Sequence, residues 1–156
     1  MKLSTKGRYA VMAMVDLALY ASKRPVSLAE IAERQEISLS YLEQLFAKLR
    51  RSKLVRSVRG PGGGYMMVKD AGKTLISEIF DAVEEPINTN ACDPESPMGC
   101  RSDKSRCITH NLWLGLSNHI YRYLSSVSLA DVIDRRIDPA SEGFFFPDPS
   151  DGVAAQ

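Results

Sequence analysis

Apolar positions crowd residues 9–20 at helical spacing, with Val11, Met12, Val15, Leu17, Ala18 and Leu19. The Arg24-Pro25 pair stops that helix, because the residue before proline avoids helical angles. A second helix starts at once. Ser27 and Glu30 have the spacing of a capping box, and Ile31 is the inward residue behind them. Glu36-Ile37-Ser38 makes the break. A third helix is predicted from Ser38, or from Ser40 with Glu43 three residues later. Leu42, Leu45, Phe46 and Leu49 fall at i, i+3, i+4 and i+7 along it, one buried stripe. Ser40, Tyr41, Glu43, Gln44 and Lys48 form its polar face.

The period then changes. Residues 53–59 and 65–68 suit strands, and Gly60-Pro61-Gly62-Gly63-Gly64 between them suits a turn, so a hairpin is predicted. Gly64 removes a side chain where the backbone must come close to something. The glycine run is no phosphate-binding loop, which needs Gly-Lys-Ser/Thr opening a helix; here a strand pattern follows. Leu75, Ile76, Ile79, Phe80 and Val83 predict a short helix over 74–83, ended by Pro86. Residues 87–105 have loop composition, and a loop that long needs an organiser. Beyond it Leu112, Leu116, Ile120, Leu124 and Val127 make an apolar stripe, widened by Trp113 and Tyr123; His119 lies off it and reads as a surface residue.

Two short helices with a tight break, followed by a hairpin, describe a winged helix-turn-helix. The expected fold is mainly α with a small β-hairpin wing. The expected units are a winged helix-turn-helix domain over 1–85, a loop over 86–110, a long C-terminal helix over 111–135 and a poorly ordered tail over 136–156. The long stripe has no evident partner within the chain. It predicts a homodimer in which this helix pairs across a two-fold axis. Phe144-Phe145-Phe146 in the tail has no assigned role.

Charge sharpens this picture. The chain of 156 residues carries +1 overall, yet residues 1–69 carry +8 and residues 70–156 carry −7. Lys48, Arg50, Arg51, Lys53, Arg56 and Arg59 follow one another without an acid between them, across a helix end and into the hairpin. That continuity favours a polyanion surface over a solvated helix face. Arg59 at the base of the wing is placed to enter a minor groove, and Arg50 and Arg51 to meet phosphates. Glu43 is the exception, because phosphate repels a carboxylate near DNA unless it accepts a hydrogen bond from cytosine N4. It is therefore expected to select among sites. No apolar run reaches the ~18 residues that span a bilayer, and the first residues lack a signal peptide's pattern. A cytoplasmic location without membrane contact is expected.

The three cysteines, Cys92, Cys100 and Cys107, lie close together, with His110 three residues after the last. An odd number of cytosolic thiols argues against a disulfide framework. Cys107 and His110, at i and i+3 near a helix start, can point the same way. Scattered free thiols, a structural zinc site and an iron–sulfur cluster compete. Zinc sites usually contain two tight ligand pairs, and only Cys107 and His110 make one here. An iron–sulfur cluster tolerates wider loops and stands slightly ahead on spacing. A catalytic Cys–His pair lacks a pocket and a third orienting group, so no enzyme is expected.

Lys6-Gly7-Arg8-Tyr9-Ala10-Val11, Ser38-Leu39-Ser40-Tyr41-Leu42-Glu43-Gln44-Leu45, Val58-Arg59-Gly60-Pro61-Gly62-Gly63-Gly64-Tyr65 and the Cys107-x-x-His110 pair resemble the bacterial iron–sulfur regulators of the IscR type. Their wider family also holds nitric-oxide and iron sensors. The resemblance covers roughly residues 1–135. It implies a 2Fe–2S cluster on Cys92, Cys100, Cys107 and His110, with a 4Fe–4S cluster in a nitric-oxide or redox sensor as the alternative. The loops between the cysteines are slightly longer than the IscR type implies. It also implies palindromic double-stranded promoter DNA, repression and activation of cluster-assembly and iron genes, and the assembly machinery as cluster donor. The shared motifs add Lys6, Arg8, Ser38 and Gly60 to Ser40, Tyr41, Glu43, Gln44, Arg50, Arg51 and Arg59 as candidate DNA contacts.

Overall fold

A computed structural model describes residues 4–21, 24–87, 100–101 and 103–137. Cys92 and the Phe144-Phe145-Phe146 triplet lie outside these residues, as do most of the 87–105 loop and the whole 138–156 tail.

The first helix, α1 (Thr5–Tyr20), starts four residues before its apolar pattern, because the Ser4 hydroxyl accepts a hydrogen bond from the Lys6 amide at 3.2 Å. It ends at Tyr20, ahead of the Arg24-Pro25 pair. The expected capping box opens α2 (Leu28–Gln35): the Ser27 hydroxyl accepts from the Glu30 amide, and the Glu30 carboxylate accepts from the Ser27 amide. Glu36, in the left-handed region at φ 54°, ends that helix. Ser38 occupies the cap position of α3 (Leu39–Arg51), but its hydroxyl makes no capping bond; only its carbonyl serves, accepting from the Leu42 amide at 3.1 Å.

The hairpin pairs β1 (Val55–Val58) with β2 (Gly64–Met67), Val55 opposite Met67 and Val58 opposite Gly64. Gly60 and Gly62 turn it at φ 103° and 70°, values that suit glycine. Val26 adds a one-residue third edge, exchanging bonds of 3.0 and 2.7 Å with Tyr65. The close approach expected at Gly64 is to this edge. A Cβ there would lie 2.4 Å from the Val26 carbonyl oxygen.

Ala10, Ala13, Met14 and Leu17 of α1 meet Leu42, Leu45, Phe46 and Leu49 of α3, all buried. Burying each large side chain contributes about 1.5–3 kcal/mol. Phe46 packs edge-on against Tyr65 of the wing at 4.9 Å, which ties recognition helix and hairpin together. Asp16 is also buried. Arg34 grips its carboxylate at 2.9 and 2.6 Å and the Gln35 amide donates at 2.8 Å, fixing α2 on α1.

After a 3-10 turn (Ala71–Lys73) comes α4 (Ile76–Ala82). The second half departs from the sequence reading in one respect. The stretch 111–135 is two helices, α5 (His110–Ser126) and α6 (Leu129–Ile133). Ser128 and Asp131 form a second capping box, and that local signal ends α5 and starts α6. Val127 accepts from the Ile76 amide at 2.9 Å and the Leu129 amide donates to Thr74 at 2.9 Å. Leu129 is fully buried, so the chain returns to the core of the first domain.

Candidate nucleic-acid interface and metal-ligating cluster

The helix-turn-helix presents Ser38, Ser40, Glu43, Gln44, Arg50 and Arg51 as exposed residues of one short helix and its cap. Arg59 and Gly60 are exposed where β1 runs into the wing turn. Tyr41 is half-buried instead, its ring edge-on to Tyr9 at 6.0 Å, so part of it holds α3 against α1.

The two N-terminal candidates part company. Lys6 reaches the end of α4, where its ammonium donates to the Glu84 carbonyl at 2.9 Å. Lys48 of α3 pairs with the Glu84 carboxylate, which it holds below the usual carboxylate range. Glu84 thus joins α1, the recognition helix and the start of the 87–105 loop. Sequence reasoning missed it, since nothing local pairs residue 48 with residue 84. Arg8 faces away from this knot and lines a cleft with Val11, Met12, Ile76 and Phe80, between α1 and α4. The Asp16–Arg34 pair was also missed. An acid inside an otherwise apolar helical face was the available signal, because such an acid needs a buried partner.

Of the three candidate ligands among the described residues, two come together. The Cys100 sulfur lies 3.2 Å from His110 Nδ1, and His110 is buried at the start of α5. The Arg106 guanidinium lies 3.2 Å from Nε2 on the other side of the ring. A guanidinium only donates, so Nε2 accepts and the ring proton sits on Nδ1, facing the sulfur. The Cys107 thiol is half-buried and lies 3.7 Å from the Thr109 hydroxyl, while its carbonyl accepts from the His110 amide at 3.0 Å. Among the described residues no three such side chains converge into a ready metal cage. The donor set fits a soft metal nonetheless. The 3.2 Å between sulfur and Nδ1 approaches the roughly 3.5 Å edge of a tetrahedral metal with ordinary bonds to sulfur and imidazole.

Helix α5 divides its apolar stripe. His110 and Ser117 are buried, Leu114 and Leu124 half-buried, and Tyr121 donates to Asp81 of α4 at 3.1 Å. Leu112, Trp113, Leu116 and Tyr123 stay exposed, Leu112 at 63% and Leu116 at 38%. His119 is exposed, as expected. Among the described residues no helix is long and apolar enough to cross a membrane.

Known proteins share this architecture. Residues 3–135 match the Rrf2 family, described as iron-dependent transcriptional regulators. The product of ORF2 of Azotobacter vinelandii, which carries the name of an HTH-type transcriptional regulator, is 56% identical over 86% of this chain and 80% of its own. The HTH-type transcriptional regulator IscR of Xenorhabdus nematophila is 50% identical over 85% of this chain and 79% of its own. Among solved structures, T. potens IscR superposes with a TM-score of 0.69 at 35% identity, covering 88% of this chain and 89% of the other. CymR, the global cysteine regulator of B. subtilis, superposes with a TM-score of 0.70 at 32% identity, covering 88% and 99%. The relatives are regulators, not enzymes, and the chain belongs to the Rrf2 family as a DNA-binding transcription regulator of winged-helix fold.

Proposed function

We propose that this regulator senses iron–sulfur cluster supply and controls cluster-assembly and iron-homeostasis genes, binding palindromic promoter DNA as a homodimer. The observation that carries the reading is the Cys100–His110 sulfur–imidazole pair at the first turn of α5, the helix whose Leu112–Leu116 face is left exposed. Cys92, Cys100, Cys107 and His110 would hold a 2Fe–2S cluster delivered by the assembly machinery. An oxidised cluster bound there would leave the site, with its three thiolates and neutral imidazole, at one net negative charge and would tie the loop to the helix covalently.

The chain's own residues do the rest. Arg106, against Nε2, fixes the His110 ring with Nδ1 toward the Cys100 sulfur, so that His110 and Cys100 would be positioned to hold the group together. The cluster loop starts just beyond Glu84, which holds Lys48 of the recognition helix and Lys6 of α1. A change in the loop is therefore felt at the helix that reads DNA. Ser38, Ser40, Gln44, Arg50, Arg51, Arg59 and Gly60 supply backbone and groove contacts, while Glu43 selects among sites by demanding a cytosine amino group.

Anaerobic purification tests the reading. Red-brown protein is expected, with about two irons and two acid-labile sulfides per chain. About four of each makes it a 4Fe–4S sensor, and colourless protein with stoichiometric zinc makes the site structural. Loaded and metal-free forms should differ in operator affinity; equal affinities would remove the sensing role.

A further inference from the structure

We propose that Tyr65 is a positioning residue for DNA reading: it holds the wing at one fixed span from the recognition helix, so that Arg59 and the reading face of α3 meet a target as a single rigid unit. The proposal rests on the reading that Gln44 and Arg59 touch DNA. Tyr65 meets three elements at once. Its backbone exchanges bonds of 3.0 and 2.7 Å with Val26, in the corner between α1 and α2. Its ring packs edge-on against Phe46 of α3, with centroids 4.9 Å apart and the planes at 66°. Within the hairpin it stands opposite Ser57 of β1. Phe46 is fully buried. It sits about 200° around the helix from Gln44, so a contact on the inner face of α3 fixes where the outer face lies.

Close packing carries this position out to the wing tip. Arg59 lies two residues past Ser57, only ~7 Å along a strand. A Cβ on Gly64 would lie 2.4 Å from the Val26 carbonyl oxygen and 2.8 Å from the Ser27 amide nitrogen, so β2 rests directly on that corner. A Cβ on Gly63 would lie 2.4 Å from the Val58 carbonyl oxygen and 3.2 Å from the Arg59 carbonyl carbon, so the turn is folded tightly onto the residue it presents. At the base of the hairpin the Leu54 amide donates to the Leu49 carbonyl of α3 at 3.0 Å, and the Leu54 carbonyl accepts from the Val68 amide at 3.1 Å. A two-stranded hairpin is marginal by itself, and Val26 and Phe46 supply the brace it lacks. Two contacts held at a fixed separation bind together: once one is made the other is already in place, and little ordering entropy opposes it. Without the brace, Arg59 must find its groove from a swinging wing. The contribution of Arg59 to affinity therefore depends on Tyr65, whereas that of Gln44, borne by α3 itself, does not. The fixed span also restricts which step of the target the guanidinium can probe for groove width.

The test is a double-mutant cycle on the full-length chain, using the duplex that binding-site selection with the parent yields, at one salt concentration. Arg59→Ala should weaken binding about tenfold, the equivalent of 1.4 kcal/mol, in the parent and less than about threefold in Tyr65→Leu. Gln44→Ala should cost the same in both backgrounds. Tyr65→Phe keeps the ring and should restore the full cost of Arg59→Ala. Phe46→Leu removes the other ring of the pair and should reproduce Tyr65→Leu, so it makes the same measurement where that variant does not fold. An equal cost of Arg59→Ala in every background overturns the proposal. So does a parallel fall in the cost of Gln44→Ala, which marks general damage to the reading helix. An Arg59→Ala change that costs nothing in the parent removes the groove contact, and the proposal with it; that failure is visible before Tyr65 is touched.

Discussion

The recognition helix and the C-terminal helix carry similar apolar stripes and meet different fates. In α3 all four stripe residues, Leu42, Leu45, Phe46 and Leu49, are buried within the chain, and the opposite face is polar. In α5 the stripe is split: Leu124 turns toward the core while Leu112, Trp113, Leu116 and Tyr123 face outward. The polar groups differ too. Asp16 and Arg34 complete each other as an ion pair inside the first domain, whereas Cys100 and His110 meet as sulfur against imidazole at the start of α5. The contrast teaches that the DNA-reading half satisfies its own chemistry. The C-terminal half leaves Leu112 and Leu116 exposed and sets a sulfur–imidazole pair at the start of α5, the two features on which the proposed dimer and cluster rest.

Four substitutions test the contrast. Phe46→Ala strikes the self-sufficient half and should cost about 3–5 kcal/mol of stability in urea unfolding, because it empties a fully buried site and removes the Tyr65 ring contact. That is a large share of a typical domain's 5–15 kcal/mol. Leu116→Asp strikes the other half. It should weaken self-association at least about tenfold in light scattering while helical content stays near the parent's; a collapsed fold would show that this face is core after all. Glu43→Ala should leave operator affinity within about threefold and relax the preference at one base pair, an effect of about 1–3 kcal/mol on discrimination in a binding-site selection. Glu30→Gln is the mildest. Arg24 first, and then the Ser27 amide and hydroxyl, lower the Glu30 carboxyl from 4.5 to about 2. A carboxyl lowered by folding adds stability above its unfolded value and loses it as pH falls through the folded one. Stability of the parent should therefore decline between pH of about 4.5 and about 2, and the Gln variant should show a shallower decline over that interval.

Much of the first half was legible because its signals are local. Ser27 and Glu30 sit three residues apart, the α3 stripe repeats within thirteen residues, and the turn glycines stand next to the strands they join. The candidate site was legible in part. The residue types and the Cys107-x-x-His110 spacing singled out this stretch, and within it the pair the fold brings together is Cys100 with His110. Spacing along a chain says little about two groups joined by a loop, since the loop's path decides which donors meet. The Ser128–Asp131 box that divides α5 from α6 was readable too, but the continuing apolar pattern obscured it.

By itself the sequence determined the helix-turn-helix, the wing and the imbalance of charge, because backbone capping, side-chain period and turn chemistry act over a few residues. Only the tertiary structure decided that Glu84 holds Lys48 and Lys6, that Val26 closes against Gly64, that Leu129 belongs to the first domain's core and that Leu116 does not. Those outcomes join residues tens of positions apart, and they depend on how whole elements pack rather than on what any one of them prefers.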